Sequence, residues 1–443
     1  MAARAGGGGL MVAASLNTPR ADGVALDVWT EALLASLPDP GAEPDAAGAL
    51  SAVRRRGQEG LRAQPFPSRH QEAWRFTDLA ALRAVSPALL PPEAQGAVSS
   101  WPSPAPGTLR LRLEAGPDLA DAQALPAGLQ PLGAAEIEQA LGQTLATTGC
   151  REHWPVLLNK ASVSRVLALR VTGAVATPLE LISDAAAGAG VLPLRLLLLL
   201  DPGASLELLQ VHRAEGASLT SVVVEARLGA GARLNHGVVA EGAADSVLLA
   251  HLAVAQDPES TYSLASVSSG WGLGRLEPRV VQIAGGALTR LRGLQHVGGR
   301  RIADTHSQVM FAGPEGRLEQ LHKVVAEEAG RSVFNGAVRV PRAAQRTDAA
   351  QLSRSLLLSD RARVDTKPEL EIVADDVRCA HGATVSRLQQ DELFYLQSRG
   401  IGADQAARLL LRGFCEEVLR DLPPAAAVWH PLQTPAGPEA PAR

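Results

Sequence analysis

Two residues apart in the run Ala374–Gly382 stand a thiol and an imidazole, Cys379 and His381. On a β-strand, positions two apart point to the same side. The pair can therefore offer a soft and a borderline donor to iron, zinc or a cluster. Two donors do not complete a site, so the remaining ligands must come from elsewhere. The competing reading is a buried cysteine beside a histidine that hydrogen-bonds a neighbouring segment. Asp375 and Asp376, just upstream, invite a glycosidase reading. Neighbouring strand residues point to opposite faces, however, so this pair alone is no acid/base dyad. His296, His306 and His322 fall on successive expected strands and could stack on one face, with solvated or ladder-bonded histidines as the plainer alternative. Arg290, Arg292, Arg300 and Arg301 form a modest basic cluster, most simply a solvated face. Cys150 and Cys415 carry no signal beyond packing.

Other chemistries are excluded by absence. The chain has no GxxxxGK[ST], GxGxxG, HExxH or GxSxG, so nucleotide or dinucleotide chemistry of those kinds must be a partner's. Three widely spaced cysteines make no disulfide framework or CxxC metal knuckle and suit a reducing cytosol. The formal charge is −4 and lysine occurs only at 160, 323 and 367. Nucleic acid and anionic membrane surfaces therefore find little to hold. The longest apolar run, Val191–Leu200, contains Pro193 and Arg195 and is too short to span a bilayer. Aromatics are 3% of the 443 residues, which is poor in the stacking platforms a sugar cleft needs.

The elements that must position Cys379 and His381 are mainly β. From Ser164 onward short apolar runs follow one another at Arg165–Val171, Leu179–Ile182, Leu194–Leu200, Leu206–Val211, Leu219–Arg227, Leu234–Val239 and Val247–Val254. Gly203, Gly216, Gly229 and Gly242 punctuate them at thirteen-residue steps. Many short strands with regular turns, continuing too long for a sandwich, predict a right-handed parallel β-helix, a solenoid, over 164–389. Residues 1–22 read as a disordered N-terminus, with an organelle-targeting peptide as the alternative. Residues 23–163 read as a helical and mixed region, with helices over Val24–Leu37, Leu50–Leu61 and Ala134–Ala146 and a proline-rich linker over Pro87–Gly107. After Gln390 the period becomes 3.6. Two helices are expected in 390–422, the first ended by Gly400, the second with Leu410, Phe414, Val418 and Leu422 on one face. Residues 423–443 read as a loose Pro/Ala-rich tail.

Two sets of segments carry a resemblance. Ser68–Leu79, with its Glu72-Ala73-Trp74-Arg75-Phe76-Thr77-Asp78-Leu79, resembles the entry motif of the SufB/SufD family of the Suf iron–sulfur cluster assembly system. Arg69 and His70 stand where that family usually has a lysine. The second set runs through Asp304–Ser307, Ser332–Gly336, Ala344–Ala349, Gln351–Asp360, Lys367–Ile372, Ala374–Thr384 and Leu393–Ile401. It is similar to the C-terminal half of the family's SufD branch, whose form D-D-V-x-C-x-H-G-A-T appears at Asp375–Thr384.

The resemblance implies a β-helix flanked by helices and a non-catalytic scaffold role. It implies pairing with a SufB-type subunit and docking of a SufC-type ABC ATPase through the C-terminal helices. That docking falls on Asp391, Leu393, Phe394, Tyr395, Arg399, Gly400, Leu410 and Phe414. His381, with Cys379 beside it, would help to form a nascent, transient iron–sulfur cluster at the partner interface. Reduced flavin is associated with such complexes, although no flavin motif is legible here, and no nucleotide is expected on this chain. The implied compartment is the bacterial cytoplasm, with the plastid stroma as the alternative. Two competing readings are a SufB-type paralogue and a β-helix enzyme acting on polysaccharide.

Overall fold

A computed structural model describes residues 26–39, 49–91, 101–115, 125–185 and 188–432. The chain winds into a parallel β-solenoid of two nine-stranded sheets. Sheet one runs Leu109–Arg112, Leu179–Ala185, Ser205–Ala214, Arg233–Glu241, Thr261–Ser269, Leu288–Val297, Arg317–Ala326, Asp348–Leu357 and Arg378–Ser386. Sheet two runs Leu129–Pro131, Leu167–Val171, Gly190–Leu200, Ser218–Leu228, Val247–Gln256, Leu273–Gln282, Ile302–Phe311, Arg331–Val340 and Arg363–Ile372. Pairing is parallel throughout, except where Leu129–Pro131 meets Leu167–Val171 antiparallel.

Each turn of chain stacks its inward side chains on those of the next. One inward file is Leu179, Leu208, His236, Leu264, Leu291, Gln320, Gln351 and His381. Early in the solenoid the bore is aliphatic, with Leu196, Leu208 and Val224 all at most 1% exposed. Toward the last turns it becomes polar, and the polar groups pair along and across the bore as dry surroundings require. Gln351 donates to Gln320 at 2.8 Å, and Gln320 donates to Ser307 at 2.7 Å. Gln295 donates to Thr305 at 2.9 Å.

The strand runs are apolar on both faces because both faces are covered. Helices Val28–Ser36, Ala49–Ala63 and Trp154–Ser162 pack on the outside of sheet two, against Val191, Leu219, Leu249 and Leu273. Helix Ala403–Leu419 packs on the outside of sheet one, where Leu411, Cys415 and Val418 meet Val267, Leu294, Leu321 and Val325. Arg195, inside the long apolar run, is buried on the covered outer face of sheet two and paired with Glu225 at 2.5 Å.

Helices Ala49–Ala63 and Trp154–Ser162 approach each other at Gly57, where a Cβ would lie 2.4 Å from the Ala161 nitrogen. Backbone cannot yield as a side-chain tip can. Gly57→Ala is therefore expected to destabilise by about 1–3 kcal/mol, read as a lower urea midpoint at unchanged slope.

Several expectations need correction. The helix expected over Ala134–Ala146 is two, Ala134–Ala140 and Gln143–Thr147, because Gly142 turns the chain at φ 86°. The sheets begin before residue 164, inside the region expected to be helical and mixed: Leu109–Arg112 and Leu129–Pro131 supply an end strand to each sheet. The tail expected to be loose begins with a 3₁₀ turn, Pro424–Trp429, packed on Ile182, Leu209 and Val239. Trp429 donates to Glu180 at 2.6 Å and meets Trp101 edge-on, which also fixes one end of the expected linker. Residues 1–22, the linker's centre and 433–443 lie outside the described residues.

Candidate functional site at the end of the solenoid

Among the described residues Arg363–Ile372 and Arg378–Ser386 are the last strands of their sheets, each bonded on one side only. Ile372, Val373 and Val385 are 41%, 52% and 48% exposed there. Such an edge offers free backbone donors and acceptors, and apolar side chains, to another chain.

Cys379 and His381 occupy the inward side of that last turn. Cys379 ends the file Leu206, Leu234, Tyr262, Thr289, Leu318 and Ala349, while His381 follows Gln351. Earlier members of both files are buried core; Cys379 is half-buried and His381 exposed because no further turn covers them. The expectation of a shared side thus has a definite form. Both residues face the mouth of the bore. Burial pushes the Cys379 thiol above its ordinary range, with Asp348 adding to the effect. A metal arriving here must displace a proton to take the thiolate. Among the described residues no third His, Cys, Asp or Glu joins the pair as a donor. Asp375 and Asp376 are exposed in the turn before the strand.

The helix Gln390–Ser398 follows the last strand and buries none of its residues. Phe394 is 72% and Tyr395 57% exposed, Leu393 is half-buried, Asp391 is exposed, and Arg399 lies over the Tyr395 ring at 5.2 Å. Gly400 follows the helix. On the second helix the apolar face is rotated from the one expected. Leu411, Cys415 and Val418 pack fully, whereas Leu410 and Phe414 are half-buried and Leu409 is 44% exposed. Lys323 holds the helix by donating to the Phe414 carbonyl at 2.8 Å and pairing with Glu417.

The three histidines do not stack together. Consecutive strands alternate between the sheets, so His296 and His322 lie in sheet one and His306 in sheet two. His296 is 2.9 Å from Glu327, and His306 3.0 Å from Asp304. His322 points into the bore and stacks on Phe334 at 4.4 Å. Arg290 and Arg292 pair with Glu319, and Arg292 also with Asp421. Cys150 is buried beside Thr148, its thiol pushed up to about 11 by burial.

The motif around Trp74 is fastened to the outside of sheet two. Thr77 donates to Asp304 at 2.6 Å, Arg275 lies 3.9 Å over the Trp74 ring and donates to the Ala73 carbonyl, and Lys367 bonds Glu72 at 2.8 Å. Arg275 also bridges Asp304 and Glu277, each at 2.6 Å. Burial alone would raise both carboxyls, but Arg275 and its neighbours outweigh it and hold Asp304 below, and Glu277 well below, the ordinary range. Sequence reasoning missed Arg275, Glu277 and His251. The available signal was charge inside otherwise apolar strand runs, which implies a buried partner.

Residues 182–414 match the family model described as "SUF system FeS cluster assembly, SufBD core domain". The chain belongs to the SufBD family. An iron–sulfur cluster assembly SufBD family protein of Synechocystis is 42% identical over 206 residues, 46% of each chain. The chloroplastic protein ABCI7 of Arabidopsis thaliana is 42% identical over 210 residues, covering 47% of this chain and 44% of the relative. SufD of Escherichia coli is 46% identical over 103 residues, 23% and 24% of the two chains. This SufBD chain thus spans less than half the length of these relatives in each match. The likeness to chains named SufD agrees with the D-D-V-x-C-x-H-G-A-T strand and places it on the SufD-like side.

Proposed function

We propose that this SufBD-family chain is a non-catalytic scaffold subunit that pairs end to end with a SufB-type chain. The observation that carries the reading is the position of Cys379 and His381 on the last inward rung, beside two sheet edges that lack a next strand among the described residues. A partner continuing either sheet would enclose that rung and add the donors this chain lacks. Iron and sulfide would enter as cargo, and the nascent cluster would form between Cys379, His381 and groups of the partner. Soft thiolate and borderline imidazole suit iron in that role. Phe394, Tyr395 and Leu409 supply exposed apolar surface near that end for a SufC-type ATPase, whose nucleotide site answers the absent P-loop. In this reading the ATP-driven approach of two docked ATPases, one on each subunit, strains the paired ends and opens the rung. Among the described residues no helix is long and apolar enough to cross a membrane. We assign the chain to the bacterial cytoplasm, with the plastid stroma as the alternative suggested by the chloroplastic relative's name.

The test uses His381→Ala, an exposed position whose loss removes no core contact. Co-expressed with SufB- and SufC-type chains, the variant is expected to copurify as wild type does and to carry at least tenfold less cluster by iron and sulfide content. Undiminished cluster overturns the role of His381. A wild-type chain that recovers neither partner overturns the scaffold reading.

A further inference from the structure

Far from the solenoid's end, three unlike side chains converge beneath the N-terminal region. His251 and Glu277 face outward from neighbouring strands of sheet two and are direct register partners. His153 comes from the residue that precedes helix Trp154–Ser162. His251 Nε2 is 3.2 Å and His153 Nδ1 3.7 Å from Glu277 Oε2, and all three donor atoms lie within 4.8 Å of one another. His251 and Glu277 are buried, whereas His153 is 35% exposed and opens the group to solvent. His251 Nε2 is buried, and its contact with the carboxylate is poorly aligned for a hydrogen bond. A buried ring nitrogen without a well-aligned partner calls for an explanation.

We propose that His153 Nδ1, His251 Nε2 and Glu277 Oε2 form a binding site for one borderline divalent transition-metal ion, Fe²⁺ or Zn²⁺. Two imidazoles and one carboxylate are the donor set of open zinc sites and of facial iron(II) sites. Bonds of about 2.0–2.2 Å place adjacent ligand atoms about 3.0–3.5 Å apart, so the 3.2 and 3.7 Å spacings from Glu277 to the two imidazoles need little adjustment. The carboxylate is already oriented: Arg275 Nε donates to Oε1 at 2.6 Å and Arg279 to Oε2 at 2.8 Å. Arg275 thus holds the carboxylate by its other oxygen, as an outer-shell partner does, while Arg279 shares the ligating one. Arg275 is balanced by Asp304 at 2.6 Å. With the ion bound, Glu277 and Arg279 cancel, leaving the dipositive charge that a three-histidine zinc centre also carries. That charge favours water, hydroxide or another small anion as the remaining ligand. Two ligands stand on paired strands and the third on the entry to a helix, so the ion would also pin the N-terminal region to the solenoid.

The site is tested with Co²⁺ on the full chain carrying Cys379→Ala and His381→Ala, which removes any signal from the solenoid's end and keeps this test separate from the scaffold reading. The expected result is a saturable visible d–d band at one equivalent, with binding weakened at least tenfold by the further change His153→Ala. Zn²⁺ is expected to raise the thermal midpoint of the parent but not of the His153→Ala chain. Metal-free melts of the two serve as the folding control, with His153→Gln substituting if His153→Ala melts lower. Absence of the band, or an equal band and an equal Zn²⁺ shift without His153, overturns the proposal.

Discussion

Between pH 7 and pH 5 the metal-free chain is expected to lose several kcal/mol of stability, with most carboxylates still ionised. The cause is a set of histidines folded in their neutral form. Burial depresses His212 and His251 to about 4, and His236 and His322 to about 3. In the unfolded chain each titrates near 6.5. The folded-state values are lowered, so between about 6.5 and 4 the unfolded state binds more protons and acid favours it. The histidines' neutral burial carries no penalty above about 6.5. Below that, each histidine withdraws about 1.4 kcal/mol per pH unit until its folded value is reached. Four such groups weigh heavily against a total of about 5–15 kcal/mol.

His236 shows why the neutral form is built in. Its Nε2 donates to Gln210 Oε1 at 2.8 Å, and its Nδ1 accepts from the Tyr262 hydroxyl at 3.1 Å. Protonation would turn the accepting nitrogen into a second donor facing that hydroxyl. Thermal midpoints at pH 7, 6 and 5 provide the check, with His236→Gln expected to reduce the slope by about one proton. A midpoint flat across that interval would contradict the argument.

The second large effect is expected from Arg275→Ala. This guanidinium is 1% exposed, bridges Asp304 and Glu277, covers Trp74 and bonds the Ala73 carbonyl. Removing one member of a buried ionic network leaves its partners uncompensated, at a cost of about 3–5 kcal/mol. Urea unfolding should show that loss. Protease cleavage within 68–79 should accelerate as well, because the Trp74 ring and the Ala73 carbonyl lose their anchor. Adding Asp304→Asn is expected to restore part of the stability, since it removes a carboxylate left without its cation. Equal instability of the single and double variants would mean that packing on Trp74, and not charge, dominates.

The solenoid was readable because its apolar runs are short, β-leaning and regularly punctuated, and the end rung because Cys379 and His381 stand two apart on one strand. The Arg275 network was not. Its members lie on Trp74, Thr77, Arg275, Glu277 and Asp304, joined only by winding. Strands covered on both faces also show no alternation to mark which charges point outward. His153 was hidden for the same reason, since its neighbours His251 and Glu277 reach it only through the stacking of the turns. The rotated face of Ala403–Leu419 has a different cause. Leu410, Leu411, Phe414, Cys415 and Val418 are all apolar, and only the surface of sheet one selects Leu411 over Leu410 as the contact.

A stacked structure holds each turn by its neighbours, so its stability is nearly a sum of local interfaces. Among the described residues the turn bearing Arg363–Ile372 and Arg378–Ser386 has a neighbour on one side only, so its backbone amides should exchange hydrogen sooner than those of the interior. Cys379 and His381 therefore stand on a part of the sheets that opens more cheaply than the interior. Whatever seats a further rung on that end slows the opening and encloses the pair together, so rigidity and donor geometry arrive in one step.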